Sequence, residues 1–278
     1  TQAPERAPAV AGSFYPKRDS EREQLIDQLL DDLTNQQKSP VHPQQVSAAM
    51  VPHAGLRYSG RIAADVWRRI DLPDDILIIG PKHTSDGVDW AVAPHETWAL
   101  SDSTSLRGNL AFATLLADNV PGMKLDASAH RREHGTEVQL PFLHRLAPNS
   151  RVTAIAMSGA AYEDLQAAAR SLATLLKSLA TPPLIVISSD MNHFADDVEN
   201  RRRDQLALEK IAALDPEGLL DICKQEDISM CGQIPAAFVL LTLQYMQCTC
   251  NYQKIAYSTS AEATSDNSRV VGYAGVLF

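Results

Sequence analysis

The segment ILIIGPKH, residues 76 to 83, sets five residues without a polar side chain ahead of a proline, a lysine and a histidine. A short apolar run with no polar alternation suits a strand covered on both faces, as parallel strands are when helices pack on either side. LIVIS, residues 184 to 188, reads the same way. Outward from these two runs, strands are expected at 46–51, 88–93, 152–157, 254–258 and 271–277. Helical patterns occupy about 60–70, 105–119, 136–146, 162–180, 197–214 and 233–246. Alternation of this kind predicts an α/β layered fold around a mixed, largely parallel sheet. Ahead of these elements, Ser20 and Glu23 are spaced as a capping box, and Leu25, Ile26, Leu29, Leu30 and Leu33 share one helical face. That face is expected to lie on the sheet. QQKSPVHPQQ, residues 36–45, reads as the exposed connection to the first strand.

The 278 residues are 45% hydrophobic and 21% charged, which allows a large core in one domain or two closely fused ones. A formal net charge of −9 argues against general affinity for nucleic acid or anionic membrane, leaving a small molecule or a protein as the expected partner. No apolar run approaches a membrane span, and the opening TQAPERAPAVAG lacks a charged-then-apolar leader pattern, so the chain reads as cytoplasmic. Cys223, Cys231, Cys248 and Cys250 are too few and too clustered for a disulfide framework, and reduced thiols are expected.

Three of the clearest strands each deliver a histidine soon after their C-terminal ends: His53 in VPHAG, His83 in GPKH and His193 in SSDMNH. Ligands of open α/β sheets bind at that edge, so three imidazoles on neighbouring strands would make a metal or acid/base site. Taken singly, each reads equally well as a capping or loop residue. In HRREHGTEVQLPFL, residues 130–143, a helix start near Thr136 places His134 in the preceding loop and Glu137 in the first turn. Either these are ordinary capping residues or they sit at the rim of the site as proton donor or substrate clamp. Cys231, in SMCGQIP, precedes an apolar helix, where a thiolate is favoured, although free cysteines are more often small buried apolar residues. Cys248 and Cys250, in CTC, have neither the spacing nor the second pair of a zinc knuckle.

Six phrases in order resemble the Memo family, also called AmmeMemoRadiSam system protein B in bacteria and archaea. They are AGSFYP (11–16), VPHAGLRYSG (51–60), IIGPKH (78–83), EHGTEVQLPFL (133–143), SSDMNHF (188–194) and CGQIP (231–235). The resemblance runs from about residue 8 to the end. It implies one Memo-like domain over residues 1–278, a layered α/β/α fold similar to class III extradiol dioxygenases, the non-haem iron enzymes that open catechol rings. His53, His83 and Cys231 are implied as metal ligands, the cysteine standing where the dioxygenases place a carboxylate. Asp190, His193 and His134 are implied beside the metal, His193 or His134 moving protons and Asp190 orienting a histidine through its second nitrogen. Phe14, Tyr15, Tyr58 and Glu137 would line the substrate pocket. One metal ion is implied, Fe(II) first, with Cu and Zn compatible with a set softened by thiolate. Gln233 and Ile234 stand where relatives often carry a basic residue and a histidine, which implies a different substrate mouth. Two functions fit: a dioxygenase-like, metal-dependent oxidoreductase, or a non-enzymatic binding or scaffold protein holding a peptide or metabolite in a vestigial cleft. Metal-assisted hydrolysis is a weaker third, since nothing supplies bridging carboxylates for two metals. Family context adds radical SAM and AMMECR-type proteins as partners, without identifying a docking surface.

Overall fold

The computed structural model describes residues 4–37 and 40–278; Lys38 and Ser39 of the expected 36–45 connection lie outside the described residues. The strands, in chain order, are β1 (Glu5–Arg6), β2 (Ala48–Val51), β3 (Asp75–Pro81), β4 (Trp90–Val92), β5 (Thr97–Ala99) and β6 (Ser105–Gly108). They continue with β7 (Lys124–Leu125), β8 (Arg151–Met157), β9 (Leu184–Ser188), β10 (His193–Ala195), β11 (Gln253–Thr259) and β12 (Val270–Leu277). They join one sheet in the order β1-β5-β6-β8-β3-β9-β2-β12-β10, with β11 on β12 and β4 on β8. The run β6-β8-β3-β9-β2 is parallel throughout, whereas β12 pairs antiparallel with β2, β10 and β11.

The unalternating runs explain this centre. Successive side chains of a strand point to opposite faces. In β3, β9 and β2, Leu77, Ile79, Ile185, Ile187, Ala48 and Met50 enter one core, while Ile76, Ile78, Leu184, Val186, Ala49 and Val51 enter the other. Each fully buried aliphatic side chain contributes about 1.5–3 kcal/mol, so both faces must be covered. The first core is closed by the helices Tyr162–Ser178, Asp197–Ala212 and Gln233–Tyr245, the second by Leu56–Trp67 and Leu140–Leu146. The result is the layered α/β/α arrangement expected from sequence. None of the described helices is long and apolar enough to cross a membrane.

The register sets the site. Val51 lies opposite Ser188, and Ile79 opposite Ile187, so the segments leaving β2, β3 and β9 emerge together at one end of the sheet. His53, His83 and the stretch 189–193 therefore share that edge.

Three local expectations are corrected. The first helix, Asp19–Gln36, has Arg18 at its N-cap with no side-chain cap. Ser20 does not fill that role, because Asp19 fixes the helix start by accepting hydroxyl protons from Ser101, Ser103 and Thr104. The apolar face of this helix packs mainly on the helices Leu56–Trp67 and Leu140–Leu146, which already cover the sheet. Residues 105–119 divide into β6 and the helix Leu110–Asn119, with Asn109 capping the helix through Phe112 N–H.

Candidate metal centre

The three histidines brought together are His53, His83 and His134, each offering one ring nitrogen, all within 4.8 Å of one another. His53 is buried, with its ring centroid 5.1 Å from His83 and 5.2 Å from His134; the latter two stack at 4.3 Å. His134 opens the short helix His134–Glu137 instead of sitting in the loop before it. Glu133 is the N-cap, accepting Gly135 N–H at 2.9 Å, an acceptor satisfying an otherwise orphaned helical donor. A Cβ on Gly135 would meet Glu133 Oε1 at 3.3 Å and His53 Nδ1 at 3.5 Å, so the absence of a side chain there lets the segment approach the cluster.

Hydrogen bonds fix which nitrogen of the His53 and His83 rings is available. Ser188 Oγ donates to Gly135 O at 2.6 Å and accepts from Gln139 Nε2 at 3.1 Å. With its one proton committed, Ser188 can only accept from His53 Nδ1 at 2.9 Å, which leaves the lone pair of His53 on Nε2. Glu133 performs the same service for His83, accepting its backbone N–H at 2.6 Å and lying 2.7 Å from Nδ1. Burial pushes the Glu133 carboxyl up, but the bonds it accepts from His83 and Gly135 prevail and hold it down at about 2. It is thus a carboxylate that accepts from His83 Nδ1–H, leaving Nε2 of His83 with a lone pair. Burial, then the neighbouring imidazoles, lower His53 to about 3 and His134 to about 4, so both are neutral at pH 7. Neutral imidazole is the metal-ligating form.

Cys231 stands beside this group, its Sγ 3.3 Å from His53 Nε2 and 3.3 Å from the amide of Asp190. Burial pushes its thiol up to about 12, and the Asp190 charge adds to this, so without a cation nearby it is protonated and donates to His53 Nε2. Gly232 permits the position: a Cβ there would fall 2.4 Å from Ser189 Oγ. Asp190 is buried and raised by burial; its Oδ1 accepts the backbone N–H of His53 at 2.8 Å. The orienting of histidine rings expected of Asp190 therefore belongs to Ser188 and Glu133. His193 is half-buried outside the three-histidine group, its main chain tied to Ser229, and burial lowers it while Asp190 opposes the shift.

Of the expected pocket residues, Phe14 lies 4.9 Å from the His134 ring and Tyr58 is partly exposed. Glu137 and Tyr15 are buried, and their polar atoms are occupied. Glu137 pairs with Arg6 and accepts from Ala9 N–H, Val10 N–H and Tyr15 Oη. Arg6 also donates to the carbonyls of His130 and Glu133. This buried knot ties the N-terminal segment to the histidine-bearing turn and so positions Phe14. Ser188, Glu133 and Gln139 are the functional neighbours that the sequence alone did not single out. Glu133, two residues before a glycine at a helix start, carried a capping signal that could have found it.

The Memo-like protein family model matches residues 6–277. This chain belongs to the Memo-like family. A MEMO1 family protein of Aquifex aeolicus is 35% identical to this Memo-like chain over 275 residues, covering 98% of each. Similar proteins of Ignicoccus hospitalis and Methanopyrus kandleri, both also MEMO1 family members, are 35% and 31% identical over 98–99% of both chains. Family membership thus spans the whole of the site: each of the residues that meet at the sheet edge, from Arg6 to Cys231, lies within the matched segment.

Proposed function

We propose that this Memo-family protein holds one transition-metal ion through His53 and His83, completed by His134 or Cys231, and acts as a dioxygenase-like, non-haem oxidoreductase. The observation that carries the reading is the convergence of ring nitrogens whose opposite nitrogens are tied to Ser188 and Glu133. A metal-ligating imidazole characteristically has such a partner, which sets both tautomer and ring orientation. The donor chemistry fits: imidazoles suit Fe, Cu and Zn, and a thiolate at Cys231 biases the set toward softer ions. Fe(II) is the first choice for an imidazole-rich set with open positions. Such an ion supplies, when bound, a Lewis-acidic and redox-active centre at the mouth of the sheet.

The chain's own groups do the rest. His134 and His193, neutral at pH 7, can take a proton from an acidic substrate hydroxyl, and Phe14 walls the cleft beside His134. Asp190 keeps His53 in place through its main chain. The substrate class that suits this environment is a small electron-rich molecule. Metal analysis and oxygen uptake test the proposal: His53→Ala and His83→Ala should lose the metal, and metallated wild type should consume oxygen with catechol-type substrates. Metal retained in both variants would defeat it.

The neutral Cys231 thiol bonded to His53 Nε2 favours a second reading, a binding protein that uses the same cleft for a peptide or metabolite. Under that reading fully metallated protein consumes no oxygen with any candidate substrate.

A further inference from the structure

A cavity of about 600 Å³ lies between the N-terminal segment, His95 and the turn that follows the helix Ala127–His130. That volume is within the range of small-molecule sites. One wall is the segment Glu5–Ala9, whose main chain is fixed at both ends: Pro4 O accepts from Glu96 N–H and Thr97 N–H, and Ala9 N–H is bonded to Glu137. His95 is held through its carbonyl, since a Cβ on Gly108 would fall 2.0 Å from His95 O and β6 runs against it with no side chain between. None of His53, His83, His134 and Cys231 lines this cavity.

The polar groups in the wall are unevenly used. His95 is only 3% exposed, and its Nδ1 is buried without a hydrogen-bond partner among the described residues. The neighbouring His130 is satisfied by contrast, its Nε2 lying 3.0 Å from Ala91 O. Burial, aided by the charge of Arg6, lowers His95 to about 4, so at pH 7 its ring is neutral and has one N–H and one lone pair. A sealed lone pair is tolerated better than a sealed N–H, which puts the proton on Nε2. Nε2 likewise makes no hydrogen bond among the described residues, so a donor in the wall of a cavity lacks an acceptor. Arg132 is committed, with Nε and Nη2 bonded to Asp86 at 3.0 and 2.8 Å. Arg6 has spent its guanidinium on the carbonyls of His130 and Glu133 and on Glu137. Arg131 lies 3.7 Å from the Asp86 oxygen, beyond a normal hydrogen bond, and its side chain is 70% exposed. One open guanidinium and one imidazole N–H therefore border a space otherwise walled by Ala7, Pro8, Ala9 and Ala127. Glu5 also lines it, so the wall suits a single negative charge and disfavours a phosphate dianion.

We propose that this cavity is a second ligand site, distinct from the histidine centre, which binds a small monocarboxylate with a compact apolar body. The carboxylate accepts from His95 Nε2–H and from the Arg131 guanidinium, and the carbon skeleton packs on Ala7, Pro8, Ala9 and Ala127. Charge-assisted bonds of this kind are stronger than neutral ones, and the apolar walls add the burial that a phosphate would not use.

The test uses metal-free protein, so that no ion at the histidine centre can hold a carboxylate, and three probes: propionate, benzoate and 2-naphthoate. At least one should bind saturably with a Kd below about 10 mM. His95→Phe and Arg131→Ala should each weaken it about tenfold or more, the usual effect of losing a hydrogen bond to a charged group, while His83→Ala should leave it unchanged. In protein labelled with nitrogen-15 at histidine, the bound probe should move the ring-nitrogen signals of His95 and leave those of His53 in place, a readout that stands even if His95→Phe fails to fold. Absence of saturable binding by all three probes, equal affinity in the His95→Phe and Arg131→Ala variants, equal affinity for the neutral amide of the bound probe, or inorganic phosphate bound more tightly than any of the carboxylates would overturn the proposal.

Discussion

Replacing Glu133 by Gln removes one charge and almost no volume from the turn that carries His134, and its effect can be worked from the surroundings. The side chain is buried and receives His83 N–H, His83 Nδ1–H and Gly135 N–H. These bonds outweigh burial and lower the carboxyl from 4.5 to about 2. A depression of about 2.5 units at about 1.36 kcal/mol per unit corresponds to about 3 kcal/mol of stabilisation. Because the folded-state value is depressed, that stabilisation is complete above the unfolded value of 4.5 and disappears as pH falls from there toward 2. Urea unfolding of metal-free protein should show Glu133→Gln less stable by about 2–3 kcal/mol at pH 7, with the gap narrowing below pH about 4.5. A gap that stays constant from pH 7 to pH 3 would refute the assignment of Glu133 as a hydrogen-bonded carboxylate. The same variant frees the His83 tautomer and should weaken metal binding by about 10- to 100-fold, the usual cost of losing a ligand's hydrogen-bond partner.

Other expected outcomes follow from the same contacts. Glu137→Gln leaves the buried Arg6 guanidinium without its carboxylate and should cost about 3–5 kcal/mol in denaturant unfolding; a loss under 1 kcal/mol would mean that this pair does not anchor the N-terminal segment. Gly232→Ala forces a methyl group against Ser189 and should cost about 1–3 kcal/mol while displacing Cys231; unchanged stability and unchanged metal affinity would remove the close approach from the account. Asp204 is buried beneath the 190–193 segment, bonded to Asn192, Asn200 and Tyr257, and burial raises it from 3.8 to about 6. Its folded-state value lies above the unfolded one, so stability should fall by about 3 kcal/mol as pH rises from about 4 to about 6. Asp204→Asn should flatten that slope, and an unaltered slope would place the titration elsewhere.

The sheet was legible because β3 and β9 consist of residues that tolerate burial on both faces, a condition that ILIIG and LIVIS state without help from context. The short strands β1, β5, β7 and β10 were not, since two- and three-residue pairings such as Glu5 with Thr97 depend on where distant segments land. The edge histidines His53 and His83 could be placed from the strand ends alone. His134 was harder: it comes from a separate turn, which is set over β3 by long-range bonds of Arg6, Glu137, Glu133 and Ser188. The ring-orienting role was given to Asp190, and Ser188 was passed over, for a similar reason. An aspartate near a histidine suggests a ring-orienting carboxylate, yet the last residue of β9 faces the ring and Asp190 faces the backbone.

The most direct test of the central claim is metal content and affinity of anaerobically purified, tag-free protein, compared among wild type and the His53→Ala, His83→Ala, His134→Ala and Cys231→Ala variants. The account predicts about one metal ion per wild-type chain, its loss with either His53 or His83, and a marked weakening with whichever of His134 and Cys231 completes the set. Metal bound equally well by the His53→Ala and His83→Ala variants, or wild type that neither carries nor acquires a metal, would contradict it.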